Sequence, residues 1–407
     1  MNILLFEDHL AAENRPVTLP RPAFEVGMAG TTLLRAARRY VDDIAVIVRD
    51  YLKATSGDHP GIAAALPDDE PLLCLNASLA PDLETIESLI SECASGESFI
   101  VQNDSQIGAA FFSNPPAGIL EQNENEITSY LLQQGHRKLR KALPLVHYPF
   151  EVIKYHQEFF DANLDKIKSD FIEEQTDVYM GEGVDIHPTA IIEPTEGPIV
   201  LEDGVSVGPF AHIAGPAIIG RGSRVIERAT IEEQVQIEHT CKVGGEIECS
   251  IMEPYSNKQH HGFLGHSYIG SWVNLGAGTS NSDLKNTYGT VSIQHAGEKI
   301  DTEMQFLGCI IGDYSKTAIN TSIFTGKIIG VSSFLYGLVG TNVPSFTNYA
   351  RSLHQQTEIP PDVAAKVQKR MFKRRDVEQT DNDIVLIETM YKLTRNERLL
   401  SDQPLAF

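Results

Sequence analysis

A spacing of six residues constrains this chain more than its composition does. Leu201, Val207, Ile213, Ile219, Val225, Ile231, Ile237 and Val243 recur on one strict period. Four residues after each stand Val205, Ala211, Ala217, Ser223, Ala229, Val235, Cys241 and Ile247, most of them small. The period resumes at Ile311, Thr317, Ile323, Ile329 and Leu335. A helix of 3.6 residues per turn cannot hold a six-residue repeat on one face, and a plainly alternating strand has no need of a small residue at the fifth place. A parallel β-helix of hexapeptide repeats accounts for both. Each hexad forms one side of a triangular coil, with the first residue on the axis and the small one beneath the corner.

The chain of 407 residues is long enough for two or three domains. Its formal net charge of -22 argues against a nucleic-acid backbone or an anionic membrane as partner. Anionic ligands then need local basic residues to offset the overall field. The opening apolar run is too short for a signal peptide and has no basic flank. No apolar run reaches membrane-spanning length. The five cysteines form no CxxC pair, and two of them fall at or near ladder positions as small buried thiols. These features point to a cytoplasmic protein without structural disulfides.

Ahead of the ladder, Asn2–Phe6 reads as a buried first strand, followed by a proline-rich loop over residues 14–22. Residues 32–47 show helical spacing through Leu33, Leu34, Ala37, Tyr40, Val41 and Ile44. Leu72–Leu75 and Ser98–Val101 read as strands, and Asp82–Cys93 as a helix. Alternating strands and helices predict an α/β domain over about residues 1–150, with a helix from Tyr148 to Phe171 leading away and a polar boundary at residues 173–177. The expected domains are 1–175, 184–345 and a helical extension over 346–407. That extension holds a basic helix, Pro361–Arg375, and an amphipathic one, Ile384–Leu393, which would cap the coil. The ladder is interrupted over residues 253–262 and about 281–305. Such excursions are natural places for function.

The segment between the two interruptions carries the chemistry. His260, His261 and His266 offer a base near neutral pH. Gly276, Ala277 and Gly278 lack bulk, so a ligand can approach the backbone. That combination suits acyl transfer, which needs a base for the attacking nucleophile and N–H donors for the oxyanion.

The run from Lys258 to Thr279, KQHHGFLGHSYIGSWVNLGAGT, resembles the acetyltransferase domain of bifunctional N-acetylglucosamine-1-phosphate uridyltransferases. The resemblance covers about residues 184–345. It implies a left-handed β-helix, acetyl-CoA as acyl donor, a sugar phosphate as acceptor and a homotrimer. It assigns His260 as catalytic base, five residues before Gly265, and matches Asn274–Thr279 to a second motif. Asn274 would then lie near the acceptor, with the backbone of Gly276, Ala277, Gly278 and Thr279 at the thioester. Lys285, Asn286 and Tyr288 resemble an element that contacts the sugar phosphate. Lys258 and Lys285 are the expected charge partners of phosphate.

The N-terminal part resembles sugar nucleotidyltransferases through Ile3–Asp8, Leu19–Pro22 with Glu25 and Gly27, and Leu75–Ser78. This implies nucleotidyl transfer with Mg2+. No Gly-x-Gly-Thr-Arg follows the first strand, so Gly27 and Gly30 form a substitute turn with Arg21 nearest, and Asp8 and Asp104 are the candidate magnesium ligands. In the β-helix, Ala214 stands where the family places a phosphate-binding arginine, and the lysine expected near Ser250 is missing, which points to a different acceptor.

Other readings stand beside this one. The chain is a single-activity enzyme with an inactive N-terminal domain, or a non-catalytic trimeric regulatory protein. His261 and His266, with His212, His239 or His295 as a third ligand, would form a zinc site between subunits. The basic residues of 366–375 face solvent or meet coenzyme A phosphates of a neighbouring subunit.

Overall fold

A computed structural model describes residues 1–42, 44–56, 62, 70–103, 106–139, 141–351 and 355–399. Two compact units divide at Pro149 and Phe150.

The first unit is built on a six-stranded sheet. In order across it lie Ile44–Ile47, Asn2–Phe6, Leu72–Asn76, Gln106–Phe112, Phe99–Asn103 and Arg137–Leu139. Gln106–Phe112 alone runs antiparallel to its neighbours. Ile3, Leu4, Leu5 and Phe6 are all fully buried, as a parallel strand covered on both faces requires. The helical reading of 32–47 needs correction. The helix covers only Leu33–Arg38, started by the Thr32 side chain accepting from the Arg35 N–H. Ile44–Ile47 is instead a strand paired in parallel with Ile3–Phe6. Its β-branched residues gain more as a sheet edge than as a further helical turn.

The second unit begins with the helix Glu151–Ile167 and continues as a β-solenoid. Leu201 pairs with Ile219 and Ile219 with Ile237 on one side. Val207, Val225 and Val243 align on the second side, and Ile213, Ile231 and Ile247 on the third. Three hexads therefore make one turn, and the ladder residues fill one continuous core. The small residues tuck under the corners. Ser223 is fully buried there, donating to the Glu238 carbonyl and accepting from the Cys241 N–H.

The expected excursion at 253–262 is not one. Asn257–Lys258 stays in the coil, paired with Lys242–Val243, and Phe263–Gly265 pairs with Glu246–Glu248. The turn has merely lost residues, so the six-residue phase slips while the backbone ladder continues. The later interruption is a true excursion. The coil leaves after Ser280–Asn281, forms the hairpin Ser292–His295 with Glu298–Asp301, and returns at Cys309–Ile311 against Tyr268–Ile269.

Two further differences lie at the ends of the solenoid. The polar stretch near 173–177 is no bare linker: Ile172–Gln175 is a strand in a hairpin with Val178–Met180, at the edge of a solenoid sheet. The C-terminal extension is only partly helical, because Thr347–Ala350 pairs with Phe334–Leu335 and then with Gln355–Glu358. The helices Pro361–Lys373, Asp381–Leu393 and Arg395–Leu399 follow. Phe372 packs on Trp272 at 4.5 Å between ring centroids, and Trp272 stacks on Tyr255 at 4.2 Å. Glu397 accepts from the Ser345 N–H at the last rung, giving the coil end a partner.

Candidate functional site

The shortened turn sets the geometry of the solenoid site. Asn257 pairs with Asn274, and Asn274 with Lys316, as isolated bridges up one side of the coil. The Gly278 N–H donates to the His261 carbonyl at 3.0 Å. The same offset lays His260 beside Ala277 on the adjoining rung. Both histidines and the Asn274 side chain are exposed.

The amides of Gly276–Thr279 are not equivalent. The Gly276 N–H donates to Thr317 Oγ1, that of Gly278 to His261 and that of Thr279 to the Gly276 carbonyl. The Ala277 N–H has no hydrogen-bond partner among the described residues. Glycine at 278 is favoured by a φ of +74° and by a close approach: a β-carbon there would lie 2.2 Å from Asn320 Oδ1.

Lys258 does not face a ligand. It occupies the axial slot after Val243, is 2% exposed, and its Nζ donates to the Gly244, His260 and Gly262 carbonyls. Burial lowers its pKa to about 8, against the opposing pull of Glu246. A phosphate would have to displace three carbonyls to reach it, so Lys258 braces the main chain of His260 instead of binding phosphate. Burial likewise lowers Lys316, beside Asn274, to about 7. Lys285, Asn286 and Tyr288 lie in a turn of the excursion. There the Tyr288 N–H donates to the Lys285 carbonyl and Lys285 Nζ donates to the Thr290 carbonyl.

His266 has partners of its own. Its Nδ1 lies 2.8 Å from Asp283 Oδ2, its ring stacks on Phe306, and it forms a group with Glu248 and Asp283. His212 bonds Glu193 instead, and the His239 ring packs edge-on against Tyr255.

In the first unit, polar residues gather where parallel strands end, the usual place for a ligand in an open α/β sheet. Glu7 is fully buried and takes hydrogen bonds from the Ala23 N–H and from Arg49 Nε and Nη2. Burial works to lower the Arg49 pKa, but Glu7 and Tyr51 hold it raised overall. Asp8 accepts from the Leu10 N–H and from Asn76 Nδ2. Ala29 and Gly30, both at positive φ, form the tight turn between Met28 and Thr31, with Gly27 just before it. Arg21 is nearly buried, and its carbonyl accepts from Arg49 Nη2. Asp104 lies outside the described residues. No group of three carboxylates converges here among the described residues, so they do not by themselves make a magnesium cage. Sequence reasoning missed Arg49, and it marked Asn76 only as part of the Leu75–Ser78 element. The signal for Arg49 was a lone arginine at the end of a strand misread as helix.

Residues 3–176 match the family model for sugar nucleotidyl transferases. Among curated proteins, the bifunctional protein GlmU of Methanococcus aeolicus is 33% identical over 142 residues, covering 34% of this chain and 34% of that protein. GlmU of Thermotoga petrophila is 27% identical over 221 residues, covering 50% of this chain and 40% of the relative. A bifunctional sugar-1-phosphate nucleotidylyltransferase/acetyltransferase of Sulfurisphaera tokodaii is 32% identical over 97 residues, covering 23% of this chain and 24% of the relative. The matched stretches thus span 24–40% of the length of these relatives. Among solved structures, LpxA of Acinetobacter baumannii aligns over 54% of this chain and 86% of its own, at 16% identity and a TM-score of 0.30. The chain joins a stretch that matches sugar nucleotidyl transferases to a hexapeptide β-solenoid, and it is similar in part to bifunctional GlmU proteins.

Proposed function

We propose that this chain is a two-part transferase of sugar-nucleotide synthesis. Its solenoid moves an acetyl group from acetyl-CoA to the amine of an amino sugar phosphate. Its N-terminal unit joins a sugar phosphate to the nucleotide of a magnesium nucleoside triphosphate. The observation that carries the acyl reading is the open Ala277 N–H on the rung beside His260. The acceptor amine attacks the thioester carbonyl, His260 takes the proton, the Ala277 N–H donates to the oxyanion, and the coenzyme A thiolate leaves. Asn274 lies two positions from Gly276 on the same exposed side and would hold the acceptor. Lys285, Asn286 and Tyr288 would meet its phosphate. In the N-terminal unit, Arg21, Gly27 and the turn at Gly30 would cradle the nucleotide.

A cytoplasmic homotrimer fits this reading. Ile319, Phe324 and Leu338 stand well exposed on the last turns of the coil, apolar side chains that subunit packing would cover. Among the described residues, no helix is long and apolar enough to cross a membrane.

The test is direct. The full chain is mixed with acetyl-CoA and an amino sugar phosphate, and free thiol is followed. In parallel, pyrophosphate is followed with a sugar phosphate and magnesium nucleoside triphosphates. Thiol release that depends on the acceptor is expected. Its absence across amino sugar phosphates would overturn the acyl assignment.

A further inference from the structure

One group of ligating side chains on the solenoid takes no part in this chemistry. Glu248 ends the strand Glu246–Glu248, and its partner across the ladder is Gly265. His266 follows at a coil corner with φ +48°, its N–H donating to the Glu248 carbonyl. Asp283 reaches the same point from the next rung. Glycine at 265 leaves room for its carboxylate, since a β-carbon there would lie 2.5 Å from Asp283 Oδ2. The ligand atoms of Glu248, His266 and Asp283 all lie within 4.8 Å of one another.

The surroundings leave this group short of positive charge. His266 is 7% exposed, and its ring is fixed by the Phe306 stack at 5.2 Å and by the 2.8 Å bond to Asp283. Glu232 and Glu233 act on Glu248 as further like charges. From the helix Glu151–Ile167, the nearby histidine is His156, fully buried, with its Nε2 on the Gln234 carbonyl. Two carboxylates thus converge on a single imidazole, with two more carboxylates behind them. A donor set of one nitrogen and two oxygens suits a borderline divalent cation such as zinc.

We propose that Glu248, His266 and Asp283 bind one divalent transition-metal ion per chain. Metal–ligand bonds of about 2.0–2.2 Å require Glu248 to draw in and the His266–Asp283 hydrogen bond to open, its proton passing to solvent as the ion takes its place. The Phe306 stack keeps the imidazole in place, and the Glu248 carboxylate closes the site. The ion links three successive rungs at the point where the coil is about to leave for its excursion. The proposal is independent of acyl transfer.

The test uses the full chain, stripped with a chelator and titrated with zinc. Bound metal is measured by elemental analysis after dialysis, and affinity by calorimetry. One zinc per chain is expected, with a rise in melting temperature on binding. Glu248→Gln and Asp283→Asn should each weaken binding by about 10-fold or more, and His266→Ala should abolish it. Glu248→Gln alters a half-buried side chain, so a metal-free melting temperature equal to wild type would show that the fold survives. Less than about a tenth of an equivalent bound to wild type would overturn the proposal. So would zinc binding that persists in Glu248→Gln and Asp283→Asn but is lost in a His260→Ala/His261→Ala double variant, which would place the ion on the exposed histidines.

Discussion

Two stretches of one coil differ in how they use their polar groups. From Leu201 to Val243 each turn takes three full hexads, and the axial slots hold aliphatic residues. From Val243 to Asp283 the turns are shorter, a lysine fills an axial slot, and the carboxylates of Glu248 and Asp283 gather on the buried His266. The first stretch is stable because it is regular. The second places polar and ionisable groups, Lys258, His260 and His266, where the first has aliphatic or small ones.

Substitutions at matched slots sharpen that contrast. Ile231→Ala in the regular stretch leaves a cavity in a fully buried rung and should cost about 2–5 kcal/mol of unfolding free energy. Chemical denaturation measures this, and acetyl transfer by the folded fraction should not change. Lys258→Met fills the equivalent slot of the short turn with an apolar chain but strips three carbonyls of their donor, a loss of about 1–3 kcal/mol when measured above about pH 10, where the lysine carries no charge that burial penalises. It also frees the His260 main chain, so here acetyl transfer should fall as well. If both variants lose stability alone, the two stretches do not differ in the way described.

The pH dependence separates them further. The Lys258 pKa is lowered to about 8 in the fold from an ordinary 10.5. Between those values the unfolded chain holds more protons, so stability should rise with pH from about 8 to 10.5, by up to about 3 kcal/mol. The burial cost is fully present below pH 8. Lys258→Met should remove this contribution to the slope, whereas Ile231→Ala should keep it. The smallest effect is expected from Gly278→Ala. Its left-handed backbone costs about 1 kcal/mol, and the Asn320 side chain can swing away, so a drop of a few degrees in melting temperature is predicted.

Much of the coil was legible because axial packing imposes a period that no other structure keeps. The same rule hid Lys258. Once the turn shortened, the hexad count no longer pointed at position 258, and a charged residue in an axial slot looked like a loop lysine. His260 and the segment Asn274–Thr279 could be picked out by type and pattern. That the Gly276 amide is taken while that of Ala277 has no partner among the described residues could not, because Thr317, which occupies Gly276, comes from the next rung beyond a long excursion. Glu248, His266 and Asp283 are scattered in sequence for the same reason, since residues that touch in a solenoid lie one turn apart. In the first unit, Asn2–Phe6 was evident from its unbroken apolar run. Ile44–Ile47 was not, because apolar residues at 37, 40, 41 and 44 fit a helix until pairing with the first strand decides against it.

The most direct test of the account is single-turnover acetyl transfer by His260→Ala, measured beside its melting temperature. His260 is exposed and its side chain has no hydrogen-bond partner among the described residues, so the fold should melt as wild type does. The acetyl-transfer rate should fall by roughly 10²–10⁴-fold, the contribution expected of a general base. An unchanged rate with an amino sugar phosphate acceptor would contradict the assignment of the short turn as the acyl-transfer site.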